Sequence, residues 1–290
     1  MFALPKILLP VDFSGRSIGA AQEAKALACR FQSELHLVHV VDLRVYGMYG
    51  MGNDEAAAFQ WVPICQEAAQ HEMEGFLPDQ LQNLNVKRVL LYGDPAREIV
   101  KYADSEKPDL IVLPTHGYGP FRRFLLGSVT AKVLHDAHCP VWTGVHMGGI
   151  PKTESISFGR ILCALDPWDG DYSALSWAWQ FGREIGGEIK IVHALAPIYA
   201  PGSFDFGEDI KRHMRAEAKS RIRDAQQSVG SNAEVEIVAG DTSKMVCAAA
   251  DAWNADLLVI GRGVASEFLG RLRSRSYSII RESPCPVVSI

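Results

Sequence analysis

A glycine followed at once by small and hydroxyl-bearing residues, at a point where a helix can begin, is suited to holding an anion. Gly127 leads here into Ser128, Val129 and Thr130, and Gly117 precedes it with nine residues between them, at the end of the run Leu110-Ile111-Val112-Leu113-Pro114-Thr115-His116-Gly117. A strand ending at Leu113 and a helix opening near Ser128 would aim unpaired amide N–H groups, with the positive end of the helix dipole behind them, at the space beyond the strand. Gly127 allows close backbone approach, and Ser128 and Thr130 add hydroxyl donors. Together they read as a phosphate cradle without a lysine. The plainer alternative is that Ser128 caps its own helix and Gly127 makes a turn. Residue chemistry alone leaves both open.

The same order of residues occurs twice. In the second half, Asp256-Leu257-Leu258-Val259-Ile260 precedes Gly261 and Gly263, and Arg273-Ser274 follows after the same nine-residue gap, with Ser276 just beyond. Cys139-Pro140-Val141 and Cys285-Pro286-Val287 close the two copies, and Lys6–Asp12 pairs with Arg160–Asp166 at their starts. A repeat this long means two copies of one domain, since solenoid units run only about 20–50 residues. The second copy departs at the cradle: one residue separates Gly261 from Gly263, and Arg273 stands where close approach is needed. Arg271, Arg273 and Arg275 could instead clamp an anion, or Arg273 could occupy the phosphate position itself.

Other candidate chemistry is weaker. Gly15-Arg16-Ser17-Ile18-Gly19 matches a nucleophile elbow, but Ser17 falls several residues past Val11, where an elbow serine perches at the strand's end. His135, His138 and Cys139 could place ligands on one helical face, yet only the cysteine recurs in the second copy; a helix end with favourable C-terminal histidines is the better reading. His39 and His193 recur inside second strands and read as satisfied core histidines. Asp12 and Asp166 end the first strands of different domains, so they make no catalytic pair; each reads as a ribose-hydroxyl acceptor or a helix cap. With no Walker lysine and no H-E-x-x-H, no catalysis is expected beyond slow, incidental ATP hydrolysis. Val45–Trp61 is rich in Tyr, Met, Phe and Trp, and reads either as a lid or partner surface or as a segment packed over the nucleotide cleft of its own domain.

The elements that must position these residues follow from hydrophobic period. Short apolar runs alternate with helix-period segments in both halves, the pattern of a parallel α/β sheet. The first copy reads as strands at Lys6–Val11, Leu35–Val41, Val86–Tyr92, Leu110–Pro114 and Val141–Val145. Helices are expected at Ser17–Phe31, Asp54–Leu84, Pro95–Glu106 and Ser128–Asp136. Gly148–Ser157 reads as a linker, which divides the chain into domains at 1–147 and 158–290. The 290 residues suffice for two cores, and a hydrophobic content of 48% against 22% charged speaks for globular structure. The net charge of −5 offers no basic face for nucleic acid. Six cysteines without a C-x-x-C pair suggest neither disulfides nor zinc. With no signal-peptide organisation and no run of about 18 apolar residues, no membrane association and a cytoplasmic location are expected.

These motifs resemble the universal stress protein family, in tandem form, over nearly all of both halves. The family's nucleotide-binding subgroup has a Gly, two residues, Gly, nine residues, Gly-Ser/Thr signature, which Pro114, Gly117 and Gly127-Ser128 match except at Pro114. Pro10-Val11-Asp12-Phe13-Ser14 resembles the family segment whose Asp touches ribose, and His39-Val40 the pair whose Val backbone holds adenine. The resemblance implies two doubly wound domains, each a five-stranded parallel sheet of order 3-2-1-4-5 with helices on both faces. It further implies ATP, ADP or AMP binding, with Mg accompanying ATP, at Pro10, Val11, Asp12, Val40, Leu113, Pro114, Gly117, Gly127, Ser128, Val129 and Thr130. The second-copy equivalents are Asp166, Ala194, Gly261, Gly263, Arg273, Ser274 and Ser276. A stress-response switch with an unknown protein partner is expected, the two halves forming a pseudo-dimer through their fifth strands, with a further homodimer possible. Pro114 lacks an N–H and Arg273 is bulky, so binding is expected in the first half alone. A nucleotide-independent scaffold or chaperone-like protein is the alternative.

Overall fold

The computed structural model describes residues 1–42, 55–115, 126–144, 158–196, 208–262 and 274–290. It resolves into two compact units, one of residues 3–156 and one of Met1–Phe2 with Ser157–Ile290. Of the sequence features above, the linker at 148–157 and most of Val45–Trp61 lie outside the described residues.

In the first unit, β1 (Lys6–Pro10), β2 (Glu34–Val41), β3 (Val86–Tyr92), β4 (Leu110–Pro114) and β5 (Val141–Gly144) form a parallel sheet in the order β3-β2-β1-β4-β5. Ile7 is in register with Leu35 on one side and Leu110 on the other. The strands are nearly continuous apolar runs because helices cover both faces, as parallel sheets require. Helix α1 (Gly15–Phe31) starts two residues before the sequence suggests, capped by the Ser14 hydroxyl on the Ser17 amide. It lays Ala20, Ala24, Leu27 and Ala28 on the sheet, small residues that let the helix axis approach closely.

The long helix expected over Asp54–Leu84 is instead two: α2 (Glu55–Gly75) and a single turn, α3 (Pro78–Leu81). Pro78 is the reason. A residue before proline is driven out of the α region, and Leu77 takes the left-handed conformation with φ 48°. Helices α4 (Pro95–Glu106) and α5 (Ser128–Asp136) complete the unit.

The second unit repeats the plan with β6 (Arg160–Ala164), α6 (Ser173–Ile185), β7 (Glu188–Leu195), α7 (Glu208–Val229), β8 (Glu234–Ala239), α8 (Thr242–Ala252), β9 (Leu257–Ile260), α9 (Ser274–Glu282) and β10 (Val287–Ser289). Its order, β10-β9-β6-β7-β8, is the same 3-2-1-4-5 arrangement. Ile161 is in register with Ile189 and Leu257, as Ile7 is with its neighbours. The two copies align without a gap from first strand to second, so Asp12, Gly15, Ser17 and His39 correspond to Asp166, Asp169, Asp171 and His193.

One local device recurs that the sequence reading did not single out. At the end of each third strand, Gly93 (φ 138°) and Gly240 (φ 145°) reverse the chain. The next residue in each copy then caps a helix, Asp94 accepting from the Arg97 amide at 3.0 Å and Asp241 from the Lys244 amide at 3.1 Å. The turn sets where α4 and α8 begin, and these helices form one wall of each cavity described below.

Candidate functional site

In the first unit β1 is flanked by β2 on one side and β4 on the other, so the strand order reverses there. Chains leave the carboxyl ends of those strands in opposite directions and open a crevice. A cavity of ≈ 290 Å³ fills it. Pro10, Val11, Asp12, Val40, Leu113, Pro114, Gly127, Ser128, Val129 and Thr130 all border it; Gly117 lies outside the described residues. Five further lining residues, Ser17, Val38, His39, Pro95 and Ile99, were not named as site residues. Asp94-Pro95, an N-cap followed by proline at the first helical position, was the available signal for the last two.

Asp12 is held rather than free. Its Oδ1 accepts from the Ser14 amide at 3.1 Å and from the hydroxyls of Ser14 and Ser17 at 2.5 Å each. The Ser17 oxygen in turn accepts from the Asp12 amide at 3.0 Å. These bonds all use Oδ1, so Oδ2 remains as an acceptor. They also dispose of the elbow: Ser17 is a buried helical residue whose proton goes to Asp12.

The helix N-terminus supplies donors. Gly127 takes an extended conformation, its own N–H donating to the Thr115 carbonyl at 2.9 Å, with no side-chain cap on α5. The amides of Ser128, Val129 and Thr130 have no hydrogen-bond partner among the described residues. The Thr130 hydroxyl differs from the expectation. It is buried and donates to the Pro114 carbonyl at 2.9 Å, bracing α5 against the end of β4, so its proton is already committed. His39 is half-buried, not core. Its Nδ1 meets the Val11 carbonyl at 2.8 Å, Phe13 covers its ring at 4.4 Å, and burial holds its pKa below the usual value. Burial thus favours the neutral imidazole over the charged one.

The second unit has a smaller cavity, ≈ 120 Å³, at the equivalent place. Asp166, Ala194, Gly261 and Ser276 border it, with Asp169, Asp171, His193, Thr242 and Arg275 besides. Ser274 opens α9, while Gly263, Arg271 and Arg273 lie outside the described residues. At the end of α5, His135 pairs with Asp136 and His138 with Asp104 at 3.0 Å. Among the described residues no His, Cys, Asp and Glu group is arranged to hold a metal ion.

A model of the universal stress protein family matches residues 4–143 and again 157–290, nearly the whole of both units. The chain belongs to the universal stress protein family. Two universal stress proteins of Methanocaldococcus jannaschii are 35% and 32% identical to it over 139 and 149 residues. Each alignment spans 47% of this chain, with 79% and 91% of those relatives covered. A solved universal stress protein from Archaeoglobus fulgidus follows the full double unit, with a TM-score of 0.67 at 24% identity over 99% of this chain and 98% of that one. The relatives that fit one half and the neighbour that fits both describe this universal stress protein as a tandem of the family's domain.

Proposed function

We propose that the first unit of this universal stress protein binds an adenine nucleotide without turning it over, as a switch in a stress response. One observation carries the reading: the amides of Ser128, Val129 and Thr130, without a hydrogen-bond partner among the described residues, belong to residues bordering a cavity that is apolar along Val38, Val40 and Ile99. A phosphate suits the amides and the helix dipole. Asp12 keeps one oxygen for a ribose hydroxyl, and the apolar wall suits a purine. A cavity of ≈ 290 Å³ is of the size that takes a nucleoside monophosphate moiety. Mg would accompany ATP. Buried Ser17, its hydroxyl spent on Asp12, supports a non-catalytic role. A protein partner reading the loaded state, in the cytoplasm, completes the proposal.

A second reading is favoured by Pro114. It borders the cavity without an N–H, and its carbonyl is taken by Thr130. A nucleotide-independent scaffold accommodates that better than a binding site does.

Denaturing the purified, never-dialysed chain and identifying released small molecules by mass spectrometry, with calorimetric titration of ATP and AMP, separates the readings. About one adenine nucleotide per chain is the expected result. Two per chain would make the second unit a nucleotide site as well, and none, with no heat on titration, would leave the scaffold. Gly127→Val is expected to abolish nucleotide binding with the fold intact, since Gly127 has φ −60°, which valine also adopts, while its Cβ would enter the phosphate path. Unchanged affinity in that variant would refute the site.

A further inference from the structure

The helix between the second and third strands is α2 in the first unit and α7 in the second, and the two carry opposite charge. Helix α2 has four Glu and no Lys or Arg, while α7 has six Lys and Arg against four Asp and Glu. The charge is not spread evenly around α7. Ala218, Ile222 and Ala225 turn inward and are buried. Arg215, Lys219 and Arg223 stand four residues apart on an exposed flank, a cationic row about 12 Å from α-carbon to α-carbon. None of the three forms an ion pair among the described residues, whereas Arg212 pairs with Asp209 and Arg221 with Glu217. Like charges four residues apart repel one another, so the row weakens its own helix unless an anion faces it.

On α2 the buried side is Cys65, Ala69 and Met73. Ile64, Glu67, His71 and Glu74 follow at helical spacing on the exposed side, a row about 15 Å long. Glu67 and His71 have no partner among the described residues, and Glu74 accepts from the Gln70 amide at 2.6 Å. Ile64 is 54% exposed, a large apolar side chain left in water beside these carboxylates. A row of Lys and Arg suits both features at once. Their methylene stems lie over an apolar side chain while their charged heads reach carboxylates.

We propose that the exposed flank of α7 docks on the exposed face of α2 in a second copy of this chain, Arg215, Lys219 and Arg223 meeting Glu67 and Glu74 with Ile64 covered between them. Every chain carries both halves of the matched pair, so association needs no other partner. A polyanion such as nucleic acid answers the row on α7 alone. It leaves Ile64 and Glu67 in water, and it must approach a chain of net charge −5. Exposed ion pairs around one apolar side chain make a weak contact that salt screens.

The test is sedimentation equilibrium of the full-length chain without nucleotide, at about 50 mM and about 500 mM salt. Self-association is expected at low salt, weakened at least about threefold at high salt. Two variants each reverse one face: Glu67→Lys with Glu74→Lys, and Arg215→Glu with Lys219→Glu and Arg223→Glu. Each alone should self-associate at least about tenfold more weakly, because its two faces then share one sign. An equimolar mixture should recover association, since each variant's native face meets the opposite native face of the other and the reversed faces also match. A native chain that stays monomeric at about 1 mM in low salt would overturn the proposal. So would variants that associate as the native chain does, or a mixture no tighter than either variant alone. A nucleic-acid duplex bound by a monomeric native chain and lost on reversing α7 would make the row a polyanion surface, and would overturn it too. The salt comparison needs no variant, and recovery in the mixture shows that both variants are folded.

Discussion

Glu23 lies on α1 with its carboxylate against the indole N–H of Trp142 on β5, both side chains buried. Removal from water disfavours the charged form and pushes the Glu23 pKa up to about 7, the indole bond offsetting only part of the shift. The native state therefore holds a proton that the unfolded chain, with an ordinary carboxyl near 4.5, gives up first. Between those values stability falls as pH rises, fully present below about pH 4.5 and lost through about pH 7, a swing of order 3 kcal/mol. Glu23→Gln keeps an acceptor for Trp142 and has nothing to titrate. Denaturant unfolding at pH 5 and pH 8 should show the native chain less stable at pH 8 and the variant nearly level. A variant with the same pH dependence as the native chain would remove Glu23 as its source. In the second unit Trp177 takes the place of Glu23, so this sensitivity belongs to the first unit alone.

At the scale of elements, the Gly-Asp turn at the end of each third strand is the most demanding local feature. A φ near +140° is open to glycine and strained for any residue with a Cβ, and at Gly240 that Cβ would also meet Met245 Cγ at 2.9 Å. Gly240→Ala should cost about 1–3 kcal/mol, read as a lowered unfolding midpoint, whereas Gly15→Ala, in open space, should cost little. Equal midpoints for the two variants would show that the turn is not under this constraint. Most of the fold was legible in the sequence because it is carried by repeated apolar runs and by the two Cys-Pro-Val closures. Those signals are properties of single segments. What escaped them depends on partners distant in sequence or on one dihedral angle. The Thr130 hydroxyl looked free until Pro114 was placed opposite it, and His39 looked like core until Phe13 and the cavity bounded it. The break between α2 and α3 was local and could have been read from Leu77-Pro78. The cradle's location was legible, since a strand end, a glycine and a helix start are consecutive in the chain. The lining of the second cavity was not, because Asp169, Asp171 and His193 come to border one space with Arg275 only after folding.

At the scale of the whole molecule, one chain carries two domains of one plan with different cavities. Saturating AMP should slow amide hydrogen exchange in β1, β2, β4 and the first turn of α5, leaving β6, β7, β9 and α9 unchanged. A ligand at 100 times its Kd stabilises the unit that binds it by about 2.7 kcal/mol. Protection spread equally over both units would mean that the second also takes nucleotide, or that the two respond together. The pairing of Glu23 with Trp142 makes the first unit observable in another way. An indole held against a group that gains negative charge near neutrality changes its excited-state environment as that charge appears. The fluorescence difference between the native chain and Glu23→Gln, followed across pH 6–8, should isolate the emission of Trp142 from that of the other tryptophans and give the first unit an optical signature that needs no added label.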